Sequence, residues 1–312
     1  MTPLSRRRLL ANAAIAAAAI ALPGSVAACS RARPAPAPPP SDPDRQRLDR
    51  WVAALRAEGT SRREIPLGRD SVRVGELAAG TPYEAHTLEA YLAAGGSPGA
   101  EALTLSLTRF DCVTLVEACI AVARVAESGE PTWERFGREV ERMRYRGGER
   151  RGYASRLHYF SEWISDGARR GLVRDLGAGL GGIEDARPLR FMTEHRSSYA
   201  ALADGAAFGE VAATERSLDA RPRRVVPTDR IAEVSHLIKS GDVLGFATAI
   251  PGLDVTHAAF AYRDADAVLR VLHAPLSGGV VEITGATLPQ YVQAIRRSTG
   301  ILVARPLRVE AA

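Results

Sequence analysis

The spacing of apolar residues changes period along this chain, and the changes mark out its elements. Over 44–58, Leu48, Trp51, Val52 and Leu55 recur on one helical face, and Gly59 stops the run. A turn-rich stretch leads to Gly80-Thr81-Pro82-Tyr83, followed by a helix around 84–94. From 103 to 108 the period is two. Leu103, Leu105 and Leu107 alternate with Thr104, Ser106 and Thr108, as in a half-buried strand. Cys112 then opens a run at helical period through Val113, Leu115, Val116, Cys119, Ile120, Val122 and Ala123, with Asp111 placed to cap it. Thr132 caps a further helix carrying Trp133, Phe136, Val140 and Met143. The segment 144–153 is a basic, glycine-containing loop, and 154–170 is helical with Leu157, Phe160 and Ile164 as its stripe. The stretch 177–229 shows no clear period and reads as an irregular insertion.

Beyond Ser240 the pattern turns to strands, at 243–248, 256–262, 267–273 and 280–283, with a turn at Ala265-Asp266. A helix over 288–296 and a last strand over 301–305 close the chain. Helices first and antiparallel strands afterwards predict an α+β domain.

The N-terminus reads as an address. Ser5-Arg6-Arg7-Arg8-Leu9-Leu10 is a twin-arginine pattern, and the Ala-rich stretch 11–22 after it is too short for a typical membrane span. Val26-Ala27-Ala28-Cys29 resembles a lipobox, in which cleavage precedes a cysteine that is then acylated. These features predict a signal peptide over 1–28, a lipid-anchored tether over 29–43 and a folded domain over 44–312. The competing reading is an ordinary export signal with Cys29 incidental. Pro34-Ala35-Pro36-Ala37-Pro38-Pro39-Pro40 is extended polyproline by composition. Export through the twin-arginine machinery would leave the domain held at a membrane, facing the periplasm or the outer face of the cytoplasmic membrane. The formal charge is +5, and losing Arg6, Arg7 and Arg8 with the signal would leave +2. That is too weak and dispersed to indicate nucleic acid.

There are three cysteines, Cys29, Cys112 and Cys119. With Cys29 acylated, no disulfide framework remains. Cys112 and Cys119 are seven apart on one helix, about 10 Å between Cα atoms, too far to bridge. Cys119 reads as a buried small hydrophobe. Cys112 lies in the first helical turn, where the helix dipole favours a thiolate and free amides can meet an oxyanion. A cysteine nucleophile needs a base, and the base needs an orienting group. His257 starts one strand and His273 ends the next, so both belong to one end of a hairpin.

Several segments together resemble the N-acetylmuramoyl-L-alanine amidase-like family, within the NlpC superfamily of papain-like cell-wall cysteine hydrolases. They are Gly80-Thr81-Pro82-Tyr83, Phe110-Asp111-Cys112-Val113-Thr114-Leu115-Val116-Glu117, Arg144-Tyr145-Arg146, Tyr153-Ala154-Ser155-Arg156-Leu157-His158-Tyr159-Phe160-Ser161-Glu162-Trp163-Ile164, Gly241-Asp242 and Leu253-Asp254-Val255-Thr256-His257. The resemblance implies an NlpC-type α+β fold, with the nucleophile at a helix N-terminus packed on a mainly antiparallel sheet. It implies Cys112 as nucleophile, His257 as base and His273 as third polar residue. The implied substrate is peptidoglycan or a muropeptide, cut at an amide without metal or organic cofactor.

Other residues carry two readings each. Tyr83 is an oxyanion donor or a structural turn residue, and Asp111 a site residue or only a cap. Arg156 pairs with a substrate carboxylate or lies at the surface. His158 and Trp163 line a substrate groove or belong to a structural helix. Glu117 is expected to face solvent, and His86, His195 and His236 to be structural or exposed. A zinc amidase using His257 and His273 lacks a convincing third ligand and leaves Cys112 without a purpose. A stem-peptide endopeptidase, a thiol acyltransferase and a non-catalytic peptidoglycan-binding lipoprotein remain as alternative functions.

Overall fold

A computed structural model describes residues 42–59, 66–276 and 279–308. The predicted signal peptide, Cys29 and most of the tether lie outside the described residues. The helices are α1 (Asp42–Ala57), α2 (Leu67–Leu77), α3 (Cys112–Glu127), α4 (Trp133–Arg144), α5 (Phe160–Arg169), α6 (Gly205–Leu218) and α7 (Leu288–Ala294). The strands are β1 (Val173–Asp175), β2 (Ile183–Asp185), β3 (Arg223–Pro227), β4 (Val243–Thr248), β5 (Val255–Arg263), β6 (Leu269–His273), β7 (Glu282–Ile283) and β8 (Ser298–Pro306). They form one antiparallel sheet in the order β2-β3-β8-β4-β5-β6-β7, with β1 also paired to β8. The α+β expectation therefore holds.

Successive residues of β5 feed opposite layers. Ala258 and Phe260 pack with Leu115, Ile120 and Phe136 from the early helices. Ala259 and Ala261 pack with Ile231, Leu288 and Val292 on the other face. This is the period-two alternation of a strand buried on both sides. Within α3, Leu115 to Ala126 is continuously buried, so that helix runs through the core rather than along its edge.

The structure corrects several expectations. The segment 103–108 is not a strand, although Leu103 and Leu107 are buried. Side chains satisfy its backbone instead: Leu107 N donates to Asp44 Oδ1 at 2.7 Å, and Arg47 donates to Leu107 O at 2.9 Å. The expected helix over 84–94 is reduced to short turns at Thr87–Glu89 and Ala90–Ala93. The turn-rich stretch contains α2. Its glycines serve close packing. A Cβ on Gly75 would meet Leu272 at 2.7 Å, and Gly68 lies against the backbone of Gly241. The helix expected over 154–170 begins only at Phe160. Before it, Arg156 bridges to Tyr145, and Asp254 Oδ2 receives the Ser161 amide at 2.7 Å. The unassigned stretch 177–229 supplies β2, β3 and α6, and builds its own cluster around Tyr159, Met192, Leu202 and Val211.

Candidate active site

The start of α3 is held from two sides. Asp111 Oδ1 accepts the amides of Val113 and Thr114 at 3.0 and 2.7 Å, and Thr114 Oγ1 accepts the Asp111 amide at 2.8 Å. This reciprocal box satisfies three donors and fixes Cys112 as the first helical residue. Upstream, Phe110 N donates to Pro82 O at 3.1 Å, and Glu84 N donates to Phe110 O at 2.9 Å. The other edge of this strap pairs with the segment after β6. Tyr83 N donates to Gly279 O at 2.8 Å, and Val281 N donates to Thr81 O at 2.8 Å. Gly80-Thr81-Pro82-Tyr83 thus ties the residues before Cys112 to those beyond His273.

Cys112 is half-buried and free, and Cys119 is fully buried and free. The amides of Ala258 and Val113 face the Cys112 sulfur. Ala258 is the residue after His257, so β5 brings the histidine to the start of α3. Burial pushes the Cys112 thiol up to about 12, and the Asp111 carboxylate beside it adds to the rise. The expected dipole-stabilised thiolate is therefore corrected. Asp111 takes the Val113 and Thr114 amides, and its charge opposes an anion that only the Ala258, Val113 and Cys112 amides favour.

His257 Nε2 lies 2.8 Å from His273 Nδ1, with the rings edge-on at 74°. The register that sets Phe260 opposite Leu272 delivers the two residues to one end of the β5–β6 hairpin. Phe246 stacks on His257 at 5.7 Å, and Tyr291 Oη lies 3.3 Å from His273 Nδ1. His273 is 1% exposed. Burial lowers His257 to about 3, helped by His273, and lowers His273 to about 4. Both imidazoles are thus neutral near pH 7. Since their nitrogens face each other, they are not arranged as two ligands of one zinc. Among the described residues no group of three or more His, Cys, Asp or Glu is set to hold a metal ion.

Tyr83 is half-buried, and burial together with Cys112 and Asp111 pushes its hydroxyl up to about 12. It stays protonated. Other anticipated residues serve the scaffold. Arg156 is buried and gives its guanidinium to Glu89 at 2.6 Å, with Glu101 at 3.6 Å, which corrects both the surface and the substrate-carboxylate readings. His158 Nε2 lies 2.8 Å from Tyr153 O, in irregular chain rather than a helix, and burial with Arg156 holds it neutral. Trp163 is core, stacked on Phe160 at 5.2 Å, and does not line a groove. Glu117 is buried against Arg144 at 2.7 Å, so the solvent-facing expectation fails. Arg146 pairs with Glu162 at 2.6 Å. The long motif 144–163 is thus largely a set of internal ion pairs. His86, His195 and His236 are exposed, as expected.

Sequence reasoning missed Tyr291, Phe246 and Asp254. Asp254 carries a readable signal in hindsight, an acid three residues before His257. Its carboxylate accepts the amides of Ser161 and Val255, pinning the start of β5 to that of α5. Tyr291 and Phe246 carry no local signal, because only the fold brings their strand and helix to the histidines.

The chain matches, over residues 73–301, the family described as AmiA-like, N-acetylmuramoyl-L-alanine amidase-like. Among solved structures it is similar to an N-acetylmuramoyl-L-alanine amidase from Bacteroides uniformis ATCC 8492, at 30% identity and TM-score 0.70. That match covers 77% of this chain and 98% of the other. It is also similar to a structure described as a putative xylanase from Bacteroides fragilis, at 32% identity and TM-score 0.68, covering 74% and 99% of the two chains. A Legionella pneumophila protein at 16% identity and TM-score 0.61, with 84% and 94% coverage, shares the fold. No curated protein gives a significant match. On these grounds the chain belongs to the AmiA-like family of N-acetylmuramoyl-L-alanine amidase-like hydrolases.

Proposed function

We propose that this protein cleaves the amide between N-acetylmuramic acid and L-alanine in peptidoglycan or its soluble fragments. Cys112 is the nucleophile, His257 the base and His273 the residue that orients it, within an NlpC-type, papain-like arrangement. The observation that carries this reading is the meeting of three elements. The Cys112 sulfur rests on the Ala258 amide, and the adjoining His257 has its Nε2 held at 2.8 Å by His273.

Nδ1 of His257 takes the thiol proton as the sulfur attacks the amide carbon. A carbon–sulfur bond forms and the carbonyl oxygen becomes an oxyanion. The Cys112 amide, which the Asp111 cap leaves unused, and the Tyr83 hydroxyl are its donors. Collapse breaks the carbon–nitrogen bond, and His257 returns the proton to the L-alanine amine. His257 then deprotonates a water that attacks the thioester, releasing the lactyl carboxylate and the thiol. The thiol and imidazole start neutral, so proton transfer accompanies attack.

The test is mass spectrometry of defined muropeptides, intact and anhydro, incubated with the domain from Pro43 onward and with Cys112→Ala. Free peptide beginning with L-alanine, absent from the variant, supports the proposal. Cleavage inside the stem peptide would replace it with the endopeptidase reading. No product while Cys112 remains alkylatable would favour the non-catalytic binding lipoprotein or an acyltransferase.

The twin-arginine pattern and the lipobox support a location to match: export of the folded domain, acylation at Cys29, and display on a membrane facing the periplasm or outer face. Metabolic labelling with a fatty acid tests it. Label on the wild type and none on Cys29→Ser is expected, and an unlabelled wild type overturns it.

A further inference from the structure

The buried ring of His273 presents a second nitrogen that the pair with His257 does not use. Its Nε2 is shut off from solvent and has no hydrogen-bond partner among the described residues. The neighbouring acceptor is Glu282 Oε1 at 3.7 Å, longer than a formed hydrogen bond. Glu282 sits directly opposite His273 in the antiparallel β6–β7 register, so both side chains leave the same face of the sheet. Its side chain is 47% exposed, which leaves it room to move.

The geometry points to Glu282 as a positioning residue that fixes the proton of His273 on Nε2 and thereby makes Nδ1 of His257 the base. Each neutral imidazole carries one proton. If His273 carried its proton on Nδ1, the bare Nε2 lone pair would face a carboxylate. The Tyr291 hydroxyl, 3.3 Å from Nδ1, would have no lone pair to meet there. With the proton on Nε2, the carboxylate faces a donor. Nδ1 of His273 then accepts from His257 Nε2–H, and the Tyr291 hydroxyl points at the same lone pair. His257 is left with its lone pair on Nδ1. When His257 gains the thiol proton, the carboxylate opposes the new positive charge through His273, and the 3.7 Å contact shortens.

This inference rests on Cys112, His257 and His273 being the reacting set, but its test uses no peptidoglycan. Nitrogen-15 spectra of the histidines report which nitrogen is protonated, and iodoacetamide reports how readily Cys112 is deprotonated. Wild type is expected to show Nε2–H on both His257 and His273. Glu282→Leu is expected to shift His273 toward Nδ1–H and to slow Cys112 alkylation at pH 7 about 10-fold, less than the roughly 10²–10⁴-fold of losing the proton acceptor itself, since His257 stays in place. Glu282→Gln keeps an acceptor oxygen and should restore the wild-type tautomer and most of the rate. Unchanged melting of each variant separates this from a folding defect. A wild-type His273 protonated on Nδ1 overturns the proposal. So does a Glu282→Leu protein with unaltered tautomers and rate, or a Glu282→Gln protein that behaves like Glu282→Leu. Muropeptides left uncut by a wild type that shows the expected tautomers would sink the amidase reading and leave this one standing.

Discussion

His257 Nε2 and His273 Nδ1 lie 2.8 Å apart, so one imidazole is the hydrogen-bond partner of the other before any substrate arrives. His273→Ala removes the partner and lets the His257 ring turn. Hydrolysis assays should show kcat lowered about 10²-fold with KM nearly unchanged, and His257→Ala should lower it further. Equal activity of His273→Ala and wild type would remove His273 from the mechanism.

The titration positions give a signed dependence on pH. His257 and His273 are depressed to about 3 and about 4, so the unfolded chain binds protons that the folded one refuses between there and about 6.5. Stability is therefore complete above about 6.5 and declines as pH falls toward 4, at roughly 1.4 kcal/mol per unit for each imidazole. Cys112 shifts the other way and loses stability above about 9 as the unfolded thiol ionises. Urea titrations across pH 4–10 measure both arms. Alkylation of Cys112 should climb steadily through alkaline pH. A rate plateau reached near pH 4 would instead reveal a resting thiolate–imidazolium pair.

Asp111 has two separable effects. Asp111→Ala removes the cap and should cost about 1 kcal/mol by thermal melting. Asp111→Asn retains an acceptor for Val113 and Thr114 but deletes the charge that raises Cys112. It should ionise Cys112 at lower pH and speed alkylation at pH 8. If Asn and wild type alkylate alike, the carboxylate is not what opposes the thiolate.

Glu117 and Arg144 form a buried pair, with Arg144 also donating to Thr104 O at 2.7 Å. Glu117→Ala leaves a guanidinium without its counter-charge and should cost about 3–5 kcal/mol in urea unfolding. A loss below about 1 kcal/mol, the value of an exposed pair, would contradict the burial.

Gly241 holds φ +86°, and a Cβ there would lie 2.0 Å from Gly68 O. Gly241→Ala should cost at least about 3 kcal/mol, combining backbone strain with separation of α2 from the sheet. A circular-dichroism melt superimposable on wild type would refute it. The neighbouring Asp242 holds Arg305 of β8 through two 2.7 Å contacts.

Local chemistry was legible wherever a residue's neighbours in sequence are also its neighbours in space. The cap Asp111, the stripes of α1 and α4, the Thr132 cap of α4, the spans of β4 and β5, and the hairpin bringing His257 to His273 all follow from local sequence alone, because helices and tight hairpins close over a few residues. Tertiary structure decided what depends on distant partners. Leu103 to Thr108 alternates like a strand, yet Asp44 and Arg47 satisfy its backbone. Arg156 reads as a substrate-carboxylate partner or a surface charge and Glu117 as solvent-facing, yet each finds a counter-charge inside the fold. Tyr291 and Glu282 reach the histidines only because β6, β7 and α7 converge there. The Cys112 thiol also depends on the fold. The helix dipole argues for a thiolate, but burial in a low-dielectric site and the adjacent carboxylate outweigh it.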